Sequence, residues 1–282
     1  MNIFDSIVTN LPTGYNYNFW FICFLSVFLV AIAKSGFGGA LGALSAPILF
    51  TILPVKIVLG ILLPLYLITD LWAIWIWRGY CVLKVLKILA FYSILGQILG
   101  FFLFSFVDSF EMSFSIIKIK GDDILKIFIG IIALLSSLKY WSDYFWSKSN
   151  KPNKLGKRNA RKKLNFRASI WGTISGFSSF ISLTGGIPIQ ILMLPMQIHR
   201  FFFVGTLCWY FLIINIAKVP LFVNLEIITL KTLLISLVLI PIIPIGVILG
   251  KWLNKKMTQK LFYHFANIVL FFLGIRLIIV SL

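Results

Sequence analysis

Apolar residues run along this chain in long blocks separated by short polar or basic interruptions. Phe19 to Ala33, Ile57 to Trp77, Ile88 to Val107, Ile124 to Leu138, Leu230 to Leu249 and Phe262 to Val280 are six such blocks. Each approaches or reaches the ~20 residues that a helix needs to cross ~30 Å of hydrocarbon. The blocks are continuous and lack the period-two alternation of a transmembrane strand, so the pattern predicts spanning helices. A retained span is expected at Phe19 to Ala33, because residues 1–33 carry no Lys or Arg and so lack the basic start of an export signal.

Two stretches break the apolar pattern at what should be membrane depth: KSGFGGALGALSAPILFTILP (34–54) and ISGFSSFISLTGGIPIQILMLP (174–195). Both place a Gly-Phe pair (Gly36-Phe37, Gly176-Phe177) before small residues and two prolines, Pro47 and Pro54 in one, Pro188 and Pro195 in the other. Each is followed later by a GxxxG, Gly96 to Gly100 and Gly246 to Gly250. This order reads as a duplication: a first transmembrane repeat over 1–141, a basic linker over 142–167 and a second repeat over 168–282. The second segment of each repeat, Leu41 to Leu53 and Ile187 to Ile198, is short and can be a broken crossing or a re-entrant piece.

Composition fixes the class and charge fixes the orientation. With 60% hydrophobic and 12% charged residues among 282, the chain has more apolar surface than a water-soluble domain can hide. Its net charge of +18 is concentrated beside spans. Nine basic residues and no acid lie between Lys148 and Arg167, and Lys251, Lys255, Lys256 and Lys260 form a second cluster. Basic loops of this kind stay in the cytoplasm and attract anionic lipid, so they are read as topology signals and not as a nucleic-acid surface. With the linker inside, the Lys251–Lys260 loop also falls inside only if each half crosses an odd number of times. Inverted repeats with both termini outside follow. The expected fold is all-α and polytopic, with about eight transmembrane helices and two short broken helices.

A break in hydrocarbon frees backbone groups that lipid cannot satisfy, so it must be covered by protein or water. Helix breakers in matching positions of two halves point to a transporter's solute site. There a helix amino terminus offers N–H donors and partial positive charge to an anion. Gly36, Gly38 and Gly39 in the first break, and Ser178, Ser182, Thr184, Gly185 and Gly186 in the second, are the resulting candidates. The two GxxxG pairs read as close helix packing. Asp70 is the only acid well inside a span and needs a partner or water. Lys218 follows Thr206 and Asn215 in a later helix. Asp70 and Lys218 can be a buried pair that fixes the repeats, or an anion attractor (Lys218) beside a proton-responsive coupling group (Asp70). Lys34 directly precedes the first break. Cys23, Cys81 and Cys208 are isolated, as are His199 and His264, so neither a metal centre nor a cofactor is expected.

These motifs, with the run GTLCWYFLIINIAKVPLF (205–222), resemble the TauE/SafE sulfite exporter family over residues 20–280. Gly176, Gly185, Gly186, Pro188, Gly205, Thr206, Asn215, Lys218, Gly246 and Gly250 carry the likeness in the second half, and Gly36, Gly38, Gly39, Pro47, Pro64 and Asp70 in the first. The resemblance implies secondary transport of sulfite, an organosulfonate or a related small anion across the bacterial inner membrane, in the direction of export; Asp70, as a proton-responsive group, makes protons the candidate coupling ion. Thr206, Asn215 and Lys218 join the solute-site candidates on that basis. The competing readings are a membrane-embedded enzyme acting on lipid, which needs a second acid or an Asp/His group at the same cavity, and a non-transporting assembly protein. Association into a homo-oligomer is left open.

Overall fold

The computed structural model describes residues 17–38, 45–50, 53–110, parts of 127–142, 157–183, 185–193, 196 and 198–281. Its helices are α1 (Tyr17–Phe37), α2 (Ser45–Phe50), α3 (Val55–Trp77), α4 (Leu83–Phe110), α5 (Lys157–Ser182), α6 (Gly186–Met193), α7 (Arg200–Asn224), α8 (Leu230–Leu239), α9 (Ile242–Lys256) and α10 (Gln259–Ser281). No strand occurs among the described residues. The two short helices α2 and α6 fall where the sequence breaks. Four described helices are long and apolar enough to cross a membrane, or five if α8 and α9 form one span. Two of the expected spans, 124–138 and Phe262–Val280, have side chains that are described only in part.

Two local expectations are corrected. The block Leu230 to Leu249 is not one straight helix: α8 and α9 meet at a 53° bend. Pro241, at the junction, has no N–H to donate and its ring clashes with the carbonyl four residues earlier. The basic stretch 157–167, expected as part of a linker loop, forms the first three turns of α5. Lys, Arg and Ala are strong helix formers, and no Gly or Pro follows Gly156 until Gly172.

The chain divides into two compact units, one of residues 1–80 and 204–257, the other of 81–203 and 258–282. Each unit takes helices from both sides of the basic stretch. In the first, α1 packs along α9 at glycines: a Cβ on Gly246 would lie 2.6 Å from the Ala31 Cβ, and one on Gly250 would lie 2.5 Å from the Ile32 carbonyl oxygen. α3 and α7 are the more deeply buried spans, each about three-fifths covered (61%), with α1 close behind (56%). α9 ends with Lys255 and Lys256, which suit the negative end of the helix dipole, and Lys256 lies 4.2 Å from the Trp252 ring centre as an interfacial pair would.

In the second unit the same kind of contact joins α4 to α5. A Cβ on Gly96 would lie 2.0 Å from the Thr173 carbonyl oxygen, one on Gly100 2.9 Å from the Phe180 Cβ, and one on Gly176 1.8 Å from the Ser93 carbonyl oxygen. Ser93 Oγ adds a 2.8 Å hydrogen bond to the Gly172 carbonyl. The far side of α4 is apolar and exposed at Phe91, Leu95, Leu99 and Phe102, as a lipid-facing surface is. His264 Nδ1 lies 3.2 Å from the Tyr140 hydroxyl, so this histidine is satisfied by a neighbouring side chain.

Candidate functional site

The last turn of a helix leaves carbonyls with no partner inside it. α1 ends in the membrane-depth break, and its last carbonyls are met by side chains from three other helices. The Cys208 thiol on α7 donates to the Lys34 carbonyl at 3.7 Å, Trp77 Nε1 on α3 to the Ser35 carbonyl at 2.7 Å, and Asn254 Nδ2 on α9 to the Gly36 carbonyl at 2.5 Å. Gly38 follows with φ +65°, a left-handed conformation that glycine adopts without strain. Protein side chains, and not lipid, meet these last carbonyls of α1.

The turn that ends there also holds Lys34, which reaches into a buried polar chain. Its Nζ sits 2.7 Å from Asp70 Oδ1 and 3.3 Å from the Tyr66 carbonyl, and 4.1 Å from the Tyr66 ring centre. Asp70 Oδ2 accepts from Asn215 Nδ2 at 2.7 Å, and Asn215 Oδ1 accepts from Lys218 Nζ at 3.3 Å. Tyr66 lies one helical turn before Asp70, and its hydroxyl is 2.7 Å from Ser45 Oγ at the start of α2. Four helices, α1, α2, α3 and α7, therefore contribute to one network. Lys34 is 3% exposed, and Asp70 and Lys218 are fully buried.

Two side chains that carry positive charge when protonated thus share a single carboxylate. A charge at the bilayer centre costs about 2.5–3.5 kcal/mol on insertion scales, and a buried pair is stabilising only when its geometry and hydrogen bonds are complete. Lys34 and Asp70 meet that condition. Lys218 donates to the Asn215 amide oxygen and lies 5.8 Å from the centre of the Phe222 ring, and Asn215 in turn donates to Asp70.

Of the residues expected to line a solute site, the structure brings Asp70, Asn215 and Lys218 together, with Lys34 added. Thr206 is buried on α7 in the same unit. Gly36 is a contact glycine: a Cβ there would lie 2.7 Å from the Gly250 carbonyl oxygen. Asp70 is paired directly with Lys34 and reaches Lys218 only by way of Asn215. Ser178, Gly185 and Gly186 are buried in the second unit, where Ser175 Oγ donates to the Gly185 carbonyl. Gly39, Thr184 and the side chain of Ser182 lie outside the described residues. Among the described residues no three His, Cys, Asp or Glu side chains gather as metal ligands would.

The family model for sulfite exporter TauE/SafE matches residues 23–277, nearly the whole chain and both breaks. The chain belongs to the TauE/SafE family. Comparison with curated proteins and with solved structures gives no match. As a member of a TauE/SafE transporter family, with several apolar helices, the protein is a multi-pass membrane protein that serves a small-molecule substrate. Lys34 is the member of this network that sequence reasoning noticed and left out of the candidate site. A lone basic residue at the end of an apolar helix has the signature of an interfacial anchor, and only its 2.7 Å contact with Asp70 separates the two roles.

Proposed function

We propose that this TauE/SafE protein is a secondary transporter that exports a small sulfur-containing anion, sulfite or an organosulfonate, across the inner membrane. The observation that carries this reading is the buried network of two lysines and one aspartate. Two basic side chains held close to one carboxylate favour a further negative charge, and a solute anion supplies it without a permanent one being built into the membrane. Asp70 is the coupling group: a proton on its carboxyl releases Lys34 and Asn215, and an anion can then take the place of the carboxylate. Alternating access follows if occupancy by anion and by carboxylate favour different openings of the site.

Eight spans in two inverted repeats remain the proposed architecture. Its support is that the break-bearing helix of each sequence half packs, at glycines, on the GxxxG helix of the other half. The test is counterflow in proteoliposomes made with the purified full chain. Saturable uptake of labelled sulfite, driven by sulfite inside and absent with chloride inside, is the expected result. Sulfite uptake no faster than in protein-free vesicles would end this reading.

A further inference from the structure

We infer that Gln190 is a specificity-determining residue that selects solutes carrying a hydrogen-bond donor as well as an anionic acceptor. The inference rests on the anion-transport reading above. Gln190 lies in the second turn of α6, the short helix that follows the second break, and is 1% exposed. Among the described residues, neither its carboxamide oxygen nor its carboxamide nitrogen has a hydrogen-bond partner. An unpaired buried amide is costly, about 1–3 kcal/mol for each group left unsatisfied, and such groups are rare enough to need a reason.

Placement supplies the reason. Helical side chains lean toward the amino terminus, so Gln190 stands on the face of α6 that Gly186 occupies one turn earlier. The same end of α6 carries first-turn N–H groups that have no partner within the helix. A solute oxyanion has a second station at this end, in the second unit, where first-turn N–H donors and the Gln190 nitrogen meet it. The Gln190 oxygen accepts only, so it is satisfied by an O–H or N–H of the solute and by no oxygen of a fully ionised, all-acceptor anion. The solute class that pairs both atoms is a hydrogen-bearing oxyanion such as hydrogensulfite, or a small sulfonate with a hydroxyl or ammonium group. A site built to bond such a group discriminates strongly against the analogue that lacks it.

The test compares 2-hydroxyethanesulfonate with ethanesulfonate, which differ by one hydroxyl, in counterflow with the full chain in proteoliposomes. Wild-type protein should show a KM about tenfold lower for the hydroxylated sulfonate. In Gln190→Leu that ratio should fall to about one, chiefly through a raised KM for the hydroxylated probe, with elution and melting like those of the parent. Gln190→Met, nearly isosteric, should give the same collapse and serves if the leucine variant does not fold. A wild-type ratio near one, or a ratio that survives both substitutions, overturns the role of Gln190 while saturable flux leaves transport standing. Absence of flux for both probes in the wild type overturns this inference, and the transport reading falls with it only if labelled sulfite also fails to exchange.

Discussion

The two breaks in this chain share a sequence motif and are held in opposite ways. After α1, the freed carbonyls are met by a thiol, an indole and an amide from distant helices, and the same turn delivers Lys34 to Asp70. After α5, the described bonds are local: Leu183 N–H donates to the Ser179 carbonyl at 3.1 Å, and Ser175 donates to the Gly185 carbonyl ten residues on. The first break is built into an ionic network; around the second, the described side chains are neutral serines and a glutamine. A repeated backbone device has thus been given two chemistries, one that holds charge and one that holds only hydrogen-bonding groups.

The largest expected effect comes from breaking the charged side of this contrast. Asp70→Leu leaves two buried lysines without a carboxylate and should cost about 3–5 kcal/mol, read as a large drop in melting temperature in detergent. The double variant Lys34→Met/Asp70→Leu removes both partners of the direct pair and should recover most of that loss. If the double variant is no more stable than Asp70→Leu, the pair is not the source of the cost. Recovered stability without recovered sulfite counterflow would separate the network's chemistry from its packing.

A Cβ at either break glycine probes the backbone device itself. Gly176→Ala drives its methyl to 1.8 Å from the Ser93 carbonyl oxygen, against 2.7 Å from the Gly250 oxygen for Gly36→Ala. Both should destabilise by about 1–3 kcal/mol, with Gly176→Ala the worse, by thermal melting. Equal losses would show that one helix pair yields more readily than the rigid geometry implies. Trp77→Phe removes the indole donor to the Ser35 carbonyl and should cost about 1–3 kcal/mol for the carbonyl left unpaired. Ser175→Ala, the counterpart at the second break, removes one neutral hydrogen bond and should cost about 0.5–1.5 kcal/mol. A larger loss for Ser175→Ala than for Trp77→Phe would invert the contrast between distant and local support.

Much of this arrangement was legible from the residues. Unbroken apolar blocks over Phe19–Ala33 and Ile57–Trp77 gave α1 and α3, and the Gly/Ser/Pro stretches gave the positions of α2 and α6. Packing at Gly246–Gly250 followed from the small-residue spacing alone. The partner of Asp70 did not, because periodicity places a residue on a helix face and does not say which helix that face meets. Sequence reading offered Lys218 as the partner of Asp70 and passed over Lys34, and the choice depends on where α1 and α7 meet α3. The bend at Pro241 was hidden by apolar residues on both sides, which keep mean hydropathy high across a broken helix. Gln190 carried no sequence signal at all, since one amide in an apolar run is ordinary until its surroundings are found to offer it no partner.

The buried lysine beyond the ion pair is the centre of the functional account, and Lys218→Met addresses it alone. The substitution keeps the direct Lys34–Asp70 pair, so the protein should still fold and elute like the parent. Sulfite counterflow should nevertheless lose its saturable component. A well-folded Lys218→Met protein that carries sulfite with unchanged KM and rate would contradict the assignment of this network as the anion site.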